Sequence, residues 1–436
     1  MITERLANYI AGAGAVDLPP EVTEKAKHHV LDTIAAMVSG TELKPGRLAL
    51  QYASSQGGTP EVQVVGSGQL TTVTTAALAN GMLAHVVPAA LVMADKVGAS
   101  GTRFLRAVAL GYDICTRTNL TIGKEVLNAT HRSTYSISGA FGAMAAAASL
   151  AGLDAKSVRY ALSYTAQQAS GLASWNRDEE HVEKAFVFAG MPVRAGVAAV
   201  DMVMAGFTGV PDVFAGETTF LGAFSPGADS TTWVDGLGER FELMRTNIKR
   251  WPVGSPIQAA VDSLLALMRE HDLRPHDVAS VVARLPESGA RTVDDRHMPD
   301  INLQHILAVT LLDDGLVFRA SQDYERMNDP RVLELKRRVR LVGDSLLNDT
   351  DPPRQAIVEV ETTDGQKLSH RTYAVRGTKD NPLPAAEVAT KASDLLVPLL
   401  GEARSTALIE AVWDLERTGN VQSLRPLLTV GQGSSG

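Results

Sequence analysis

The spacing of hydrophobic residues in the first half of the chain is helical. Between Pro20 and Gly40 an apolar stripe recurs every three or four residues, at Val22, Ala26, Val30, Ile34 and Met37. This is the periodicity of one helix face. Segments rich in alanine and glycine predict further helices over 44–55, 71–85, 87–97, 102–122, 136–151, 156–170 and 190–206. Because small side chains let helices approach closely, the pattern predicts a compact helical domain.

The pattern changes near residue 245. Residues 277–286 alternate as a strand, and two further alternating runs, 355–361 and 367–375, flank the turn signal Thr363-Asp364-Gly365. Such a signal predicts a hairpin. We therefore predict a mainly α chain: a large all-helical domain over 1–244, a smaller α+β domain over 245–385, and a return of 386–430 to the large domain. The glycine- and serine-rich end, 431–436, is expected to be a flexible tail.

Composition and charge narrow the function. The net charge is −8, the pI is about 5.7 and no run of five basic residues occurs, which argues against nucleic-acid binding. Residues 136–153 carry no charge, but their Ala, Gly and Ser content favours a buried helix over a membrane span. The N-terminus lacks the pattern of a signal peptide, so we expect a cytoplasmic protein.

Cysteine usage fits the same location. Cys115 is the one cysteine, so no disulfide can form within the chain, and this suits a reducing compartment. The spacings C-x-x-C and H-E-x-x-H are absent, and we predict no metal site.

The stretch 176–216 is the most informative for chemistry. It places His181, Lys184 and Arg194 close together among alanines and glycines, an environment that suits an anionic ligand. His181 and Lys184 are three residues apart and share one face if the segment is helical. The alternative is a solvated charge cluster, because four acids surround the pair: Asp178, Glu179, Glu180 and Glu183.

Several segments together resemble the MmgE/PrpD family, which includes 2-methylcitrate dehydratase, cis-aconitate decarboxylase and iminodisuccinate epimerase. The matching motifs are LDTIAA at 31–36, ANGxxAH at 79–85, ALGYDI at 109–114, GAFGAMAAAA at 139–148, GFTG at 206–209, IKRWP at 248–252 and LLDDG at 311–315. The resemblance implies a large helical domain with a smaller α+β lid domain, and a homodimer formed through the helical domains. It also implies a small polycarboxylate substrate and no cofactor.

The resemblance also suggests site residues. His131 lies in a polar run before a glycine-rich helix start, where a histidine can serve as acid or base. The family's histidine comes about two positions later, so the role could instead pass to Ser133 or Tyr135. A surface-loop histidine is the alternative.

Two cationic positions match lysines that bind substrate carboxylates in the family. Lys184 is offset by one residue from the family's position, and His181 would assist it. Lys249 matches the family's Lys-x-x-Pro motif, with Arg250 beside it, before Pro252. A salt bridge at the domain junction is the alternative for Lys249.

Three more candidates follow from the matched motifs. His305 falls where the family often has a tyrosine, although it lies on an otherwise apolar helix and reads equally well as a core histidine. Asn80 and His85 belong to the ANGxxAH motif, and we expect His85 to face the active site. As catalytic groups we predict His131, His305, Lys249 and His85. As substrate-binding groups we predict Lys184, Arg250, Asn80, Ser133, Tyr135 and His181.

One departure from the family bears on the reaction. Family members follow Ala-His with an acidic segment that carries an aspartate and a histidine of the active site, whereas here His85 is joined directly to Val86. Either a disordered segment is missing from the sequence, the interpretation we favour because both flanks match the family, or the segment is deleted.

The sequence thus predicts a cofactor-independent dehydratase or decarboxylase that moves a proton next to a carboxylate of a small di- or tricarboxylate. An epimerase with two opposed bases is the first alternative. The second is a catalytically inactive, ligand-binding homologue, which a true deletion after His85 would favour.

Overall fold

A computed structural model describes residues 1–431, and of the predicted flexible tail it includes only Gly431. The chain divides into two compact units. The first contains Met1–Met244 and the chain from Val388 onward, and the second contains Arg245–Glu387.

The first unit is built from helices joined by short connections. Its helices up to residue 244 are α1 (Ile2–Gly12), α2 (Pro20–Gly40), α3 (Lys44–Gln56), α4 (Val73–Gly81), α5 (Val87–Val97), α6 (Gly101–Ile122), α7 (Lys124–Ala129), α8 (Ser136–Ala151), α9 (Ala155–Gln167), α10 (Val182–Ala185), α11 (Met191–Met204) and α12 (Phe220–Phe224). A π-helical turn, Phe186–Gly190, joins α10 to α11. Two short strands, β1 (Val62–Gln63) and β2 (Leu70–Thr71), pair antiparallel. We predicted an all-helical domain here, and these two strands depart from that prediction.

Helix α8 forms the centre of this unit. It coincides with the helix predicted over 136–151, and every residue from Ser136 to Leu150 is buried. Its main neighbours are α6 and α11, which approach it at glycines. A Cβ atom on Gly196 of α11 would lie 2.5 Å from the carbonyl oxygen of Ala140, and one on Gly142 would lie 2.6 Å from that of Gly111. The small residues are therefore required by close helix packing.

A buried ionic network links α6 to the segment around Arg240 and Glu242. Arg117 donates from Nε to Asp113 Oδ2 at 2.9 Å, and both side chains are almost wholly buried. Its guanidinium also donates to the carbonyl of Arg240 at 2.7 Å, while Asp113 accepts the backbone N–H of Glu242 at 2.9 Å. Because both charges are compensated, the network has a structural role.

The second unit is an α+β structure around one four-stranded sheet. Its strands are β3 (Val278–Leu285), β4 (Val339–Gly343), β5 (Ala356–Thr362) and β6 (Lys367–Thr372), in the order β4-β3-β5-β6. Strands β3 and β4 are parallel, whereas β5 pairs antiparallel with both β3 and β6. Its helices are α13 (Gln258–His271), α14 (Glu287–Val293), α15 (Leu303–Asp313), α16 (Phe318–Gln322) and α17 (Pro330–Lys336).

Alternation of buried residues sets the register of this sheet. On β5, Ala356, Val358 and Val360 are buried and pack in the core with α13 and α15. This is the period-two pattern of a strand with one buried face. The predicted strand at 277–286 and the hairpin around Asp364 are both confirmed.

The last helix, α18 (Ala385–Trp413), breaks its helical geometry at Gly401, where φ is 75°. Its residues from Val388 onward belong to the first unit. With one mixed sheet and two very short strands in the described residues, the prediction of a mainly α chain is confirmed.

The chain is continuous from His85 to Val86. The N–H of Val87 donates to the carbonyl of His85 at 2.7 Å across Val86, which has a φ of 57° and a ψ of −63°. This is a γ-turn with positive φ, a strained conformation for a β-branched residue. The turn describes the junction that the sequence itself contains, so it decides between neither interpretation of the missing acidic segment, and both stay predictions.

A membrane span is weakly indicated at one place. Among the described residues, the continuous helical stretch Val182–Met204 is long and apolar enough to cross a membrane, but 61% of its most apolar window is buried inside the protein. Helix α8, where the sequence raised the same question, has 16 residues and is shorter than a typical span.

Candidate active site

Six side chains of the first unit lie close together, and one of them is Phe188, in the π-helical turn before α11. We call them the Phe188 cluster: His85, Tyr135, Trp175, His181, Lys184 and Phe188. Four of the six were predicted as site residues from the sequence. Single π-helical turns inside helices often occur at functional sites, because they displace the side chains of one turn.

Three aromatic rings form the wall of the cluster. The ring of Tyr135 stacks on that of Phe188 with centroids 4.2 Å apart, and the ring of Trp175 meets Phe188 edge-on at 4.4 Å. Tyr135 directly precedes α8, whereas Trp175 lies in a short 3-10 helix, Ala173–Arg177. Such a wall excludes water from one side of a bound ligand and strengthens the electrostatic contacts there.

Lys184 brings positive charge to this wall. Its Nζ lies 5.7 Å from the centroid of Phe188 and 3.1 Å from Nε2 of His181. His181 is the N-cap of α10 and has a left-handed backbone with a φ of 57°. Because an ammonium can only donate, the imidazole accepts at Nε2 in this arrangement.

The nearby acids have partners of their own. Asp178 accepts the backbone N–H groups of Lys184 at 2.9 Å and Glu180 at 3.0 Å, which fixes the turn into α10. Glu180 pairs with Lys44, and Glu183 accepts from the Ser174 hydroxyl at 3.1 Å. Glu180 is thus paired with another cation, whereas Asp178 and Glu183 keep their negative charge near Lys184 while they accept these hydrogen bonds.

His85 lies beside the first turn of α8. A Cβ atom on Gly139 would lie 2.6 Å from its Nε2, so glycine is needed at that position to admit the imidazole. Burial lowers the pKa of His85 to about 4, and the facing carbonyls of Phe188 and Tyr135 offset only part of that effect. At neutral pH the ring is therefore neutral, and its basicity is lower than that of an exposed histidine.

Two buried polar atoms in the cluster lack hydrogen-bond partners among the described residues. They are Nε2 of His85 and the indole Nε1 of Trp175. Buried polar atoms are nearly always paired in folded proteins, and exceptions call for a functional explanation. The indole N–H of Trp175 can donate to a small anion next to Lys184, and so can His85 in the tautomer that carries its proton on Nε2.

The structure places His131 at the protein surface. Its backbone has a φ of 55°, and its carbonyl accepts the N–H of Ala173 at 2.9 Å. The adjacent Ser133 is buried, and its hydroxyl accepts the N–H of Tyr135 at 3.4 Å. Of the three alternatives for this segment, Tyr135 is the one whose side chain joins the Phe188 cluster.

Asn80 makes structural contacts. It is fully buried, its Oδ1 accepts the N–H of Val65 at 2.9 Å and its Nδ2 donates to the carbonyl of Gln63 at 3.0 Å. The carboxamide thus anchors the segment after β1 to α4. Its contacts assign it to the fold and leave its predicted role in substrate binding without support.

Lys249 and Arg250 lie in the second unit. Lys249 is exposed and lines a cleft of about 290 Å³. The guanidinium of Arg250 stacks over the ring of Trp251 at 4.6 Å, and the Trp251 indole donates to Asp262 at 2.7 Å. Lys249 is therefore accessible to an anion bound in the cleft. Arg250 lies against Trp251 and does not line the cleft.

His305 is enclosed in the core of the second unit. It is fully buried on α15, and neither ring nitrogen has a hydrogen-bond partner among residues 1–431. Burial, together with the positive charges of Lys336 and Arg326, lowers its pKa to about 4. The core-histidine alternative describes this position best, and its predicted catalytic role remains a prediction.

The sequence did not lead us to predict two members of the cluster. Phe188 and Trp175 are aromatic residues without a motif of their own, although Trp175 directly precedes the stretch that begins at Asn176. A signal was available, since only 5% of the residues are aromatic and both lie beside the charged run 177–184. The described residues contain no group of three or more His, Cys, Asp or Glu side chains arranged to hold a metal.

Comparison with known proteins gives matches along most of the chain. The MmgE/PrpD N-terminal domain matches residues 4–87 and 84–232, and the MmgE/PrpD C-terminal domain matches 251–415. Human cis-aconitate decarboxylase is 24% identical over 473 aligned residues, which cover 98% of this chain and 94% of that protein. The two N-terminal matches meet at 84–87, the junction at which His85 is joined to Val86.

Proposed function

This chain belongs to the MmgE/PrpD family, and on that premise we propose that it is a lyase acting without a cofactor on a small di- or tricarboxylate. The observation that carries the proposal is the Phe188 cluster. It combines a neutral buried histidine, a lysine and an unpartnered indole N–H against an aromatic wall. These are the groups needed to hold a carboxylate and to move a proton beside it.

In this proposal Lys184 and the Trp175 indole bind one substrate carboxylate. Both are donors, and Lys184 also stabilises the negative charge that develops when the carbon next to the carboxylate becomes enolate-like. In a dehydration, His85 would take the proton from that carbon while hydroxide leaves the neighbouring carbon. In a decarboxylation, the C–C bond breaks, CO2 leaves, and His85 would deliver a solvent-derived proton to the carbon.

Decarboxylation of cis-aconitate is the first reaction to test, because a relative of known name catalyses it. At 24% identity the relative supports the reaction class and leaves the substrate open. Lys249 and Arg250 remain candidates for binding a further carboxylate. We also propose a homodimer formed through the helical unit, and a cytoplasmic location.

A true deletion of the acidic segment after His85 would favour a second candidate. A family member without the acidic segment lacks an aspartate and a histidine that the resemblance places in the active site. It could have an altered reaction, such as epimerisation, or bind polycarboxylates without turning them over.

One experiment separates the candidates. The full chain is incubated in D2O with cis-aconitate, citrate, 2-methylcitrate and an aminated dicarboxylate, and the products are followed by NMR. A lyase releases CO2 or water and gives a changed carbon skeleton or a new double bond. An epimerase exchanges the hydrogen next to the carboxylate for deuterium and releases neither CO2 nor water. An inactive homologue gives neither result.

A further inference from the structure

Residues 415–430 lie across the first unit, and we call them the strap. The strap contains two 3-10 helices, Leu415–Arg417 and Val421–Leu428, which pack on α6 and α5 respectively. Its apolar side chains are buried: Leu415, Val421, Leu424 and Leu428. The matched C-terminal family domain ends at residue 415, so that match assigns no role to the rest of the strap.

The strap binds the connection between α5 and α6 through its backbone. The N–H of Val421 donates to the carbonyl of Ala99 at 2.9 Å, and the N–H of Gly101 donates to the carbonyl of Thr418 at 2.8 Å. A Cβ atom on Gly101 would lie 1.8 Å from the carbonyl oxygen of Leu415. Glycine is therefore required where the strap meets the start of α6.

Asp95, in the last turn of α5, joins the strap to that helix. Its buried carboxylate accepts from Nε of Arg425 at 2.7 Å, and its carbonyl accepts from the Gln422 side-chain amide at 2.7 Å. The other carboxylate oxygen accepts the N–H of Gln63 at 2.9 Å, while Nη2 of Arg425 donates to the carbonyl of Glu61 at 2.9 Å. Charge-assisted hydrogen bonds of this kind hold a helix end firmly.

Helix α4 is tied to the same contacts. Asn80 of α4 donates to the carbonyl of Gln63 at 3.0 Å, and the Gln63 side-chain amide donates to the carbonyl of Arg425 at 3.0 Å. His85 lies in the short connection between α4 and α5, so both helices that flank it are linked to the strap. Since α5 has 11 residues and is about 16 Å long, a tilt at Asp95 would shift its other end, next to His85.

We propose that the strap positions His85, and that Arg425 is its main positioning residue. A displacement of about 1 Å at a reacting group can cost about a hundredfold in rate, even when the mutated residue is distant from the chemistry. The proposal rests on the proposed function in that His85 is the group that moves a proton. The position of the imidazole can be measured without turnover, which separates the two.

The experiment compares wild type with R425Q, R425K and Q422A in the full chain. R425K retains a charge for Asp95 but loses the guanidinium fork that also reaches Glu61. Q422A is the milder variant, because it removes one hydrogen bond to Asp95 and leaves the ion pair intact. R417Q is the matched control, since Arg417 lies in the strap, is exposed and pairs with Asp414 at 3.3 Å.

Two quantities are measured for each variant that melts cooperatively. The first is the NMR signal of the His85 imidazole in protein labelled with 13C-histidine, assigned with H85N. The second is kcat and KM for the substrate identified in the D2O experiment.

We expect R425Q to shift the His85 signal and to lower kcat about tenfold, with KM changed less than about twofold. R425K should recover part of both effects, Q422A should show smaller changes in the same direction, and R417Q should match wild type. A merely structural role would lower the melting temperature without this split between kcat and KM.

The proposal is overturned if folded R425Q retains the wild-type His85 signal and kcat, or if R417Q changes both as much as R425Q does. If R425Q does not fold, an unchanged signal and kcat in folded Q422A overturn it. If wild type turns over none of the substrates, the proposed function fails, and the His85 signal alone decides whether the strap positions the imidazole.

Discussion

The Nζ of Lys184 lies 3.1 Å from Nε2 of His181, one helical turn earlier. Two basic side chains can share this contact only if the imidazole accepts the ammonium hydrogen. The contact orients Lys184 along the aromatic wall, where Phe188 lies 5.7 Å from its charge. A cation positioned in this way is well suited to an anionic ligand.

Replacement of Lys184 should weaken substrate binding. We expect K184Q to raise KM for the polycarboxylate substrate about 10- to 100-fold, because it removes a charge-assisted hydrogen bond to a carboxylate. K184R should retain part of the affinity. Steady-state kinetics provide the measurement, with K156Q as the control because Lys156 is exposed on α9. Unchanged KM in K184Q would remove Lys184 from the site.

The Trp175 indole should contribute through its N–H alone. W175F keeps an aromatic ring against Phe188 and loses the unpartnered donor, so we expect KM to rise about 3- to 30-fold with little change in Tm. W413F is the control, because Trp413 packs edge-on against His28, outside the cluster. If W175F bound substrate as tightly as wild type and were more stable, the indole N–H would be a simple unsatisfied donor.

Asn80 should matter for stability and little for catalysis. N80L leaves the N–H of Val65 and the carbonyl of Gln63 without their buried partner. Each such loss costs about 1–3 kcal/mol, so we expect the free energy of unfolding to fall by roughly 2–6 kcal/mol. Denaturant unfolding measures this, with the exposed Asn128 replaced by alanine as the control. A stable N80L with a strongly raised KM would instead return Asn80 to the substrate site.

Two buried histidines predict acid sensitivity. His85 and His305 have pKa values lowered to about 4 in the fold, against 6.5 when exposed. Between these values the unfolded chain binds more protons, so stability is full above about pH 6.5 and is lost as the pH falls toward 4. At pH 5 each histidine should cost about 2 kcal/mol.

The variant H305L tests this sensitivity at one site. It removes two unpartnered buried nitrogens, so it should narrow the difference in unfolding free energy between pH 7.5 and pH 5 by about 2 kcal/mol. H276Q, at an exposed position, should leave the difference unchanged. An unaltered pH difference in H305L would contradict this explanation. Retained activity in H305L would also show that His305 is not catalytic.

Periodicity was sufficient to predict several elements, whereas strand β4 (Val339–Gly343) was not predicted. The helix over 136–151 and the hairpin around Asp364 follow from patterns that depend only on neighbours along the chain, and both agree with the structure. The separate units begin where the pattern changes, near residue 245. Local patterns of this kind arise because one face of each helix or strand is buried, and the same faces are buried in the structure.

The site was harder to predict because it depends on contacts distant in sequence. His85, Tyr135 and Phe188 meet because Gly139 leaves room for an imidazole, and the residue spacing does not reveal this. His131 and His305 carry suitable side chains, but one is placed at the surface and the other in the core. Residue type indicates possible chemistry, whereas burial and direction depend on the whole fold.

We propose that the Phe188 cluster moves a proton next to a carboxylate. Its most direct test is NMR of the full chain in D2O with cis-aconitate and the other polycarboxylates, comparing wild type, H85N and K184Q. In wild type we predict deuterium at the carbon next to a carboxylate after decarboxylation, or a new double bond after dehydration. We also predict at least a hundredfold slower turnover in H85N, and a rate in K184Q restored in part by excess substrate. Turnover by H85N at the wild-type rate, or neither product from wild type with any substrate, would contradict the proposal.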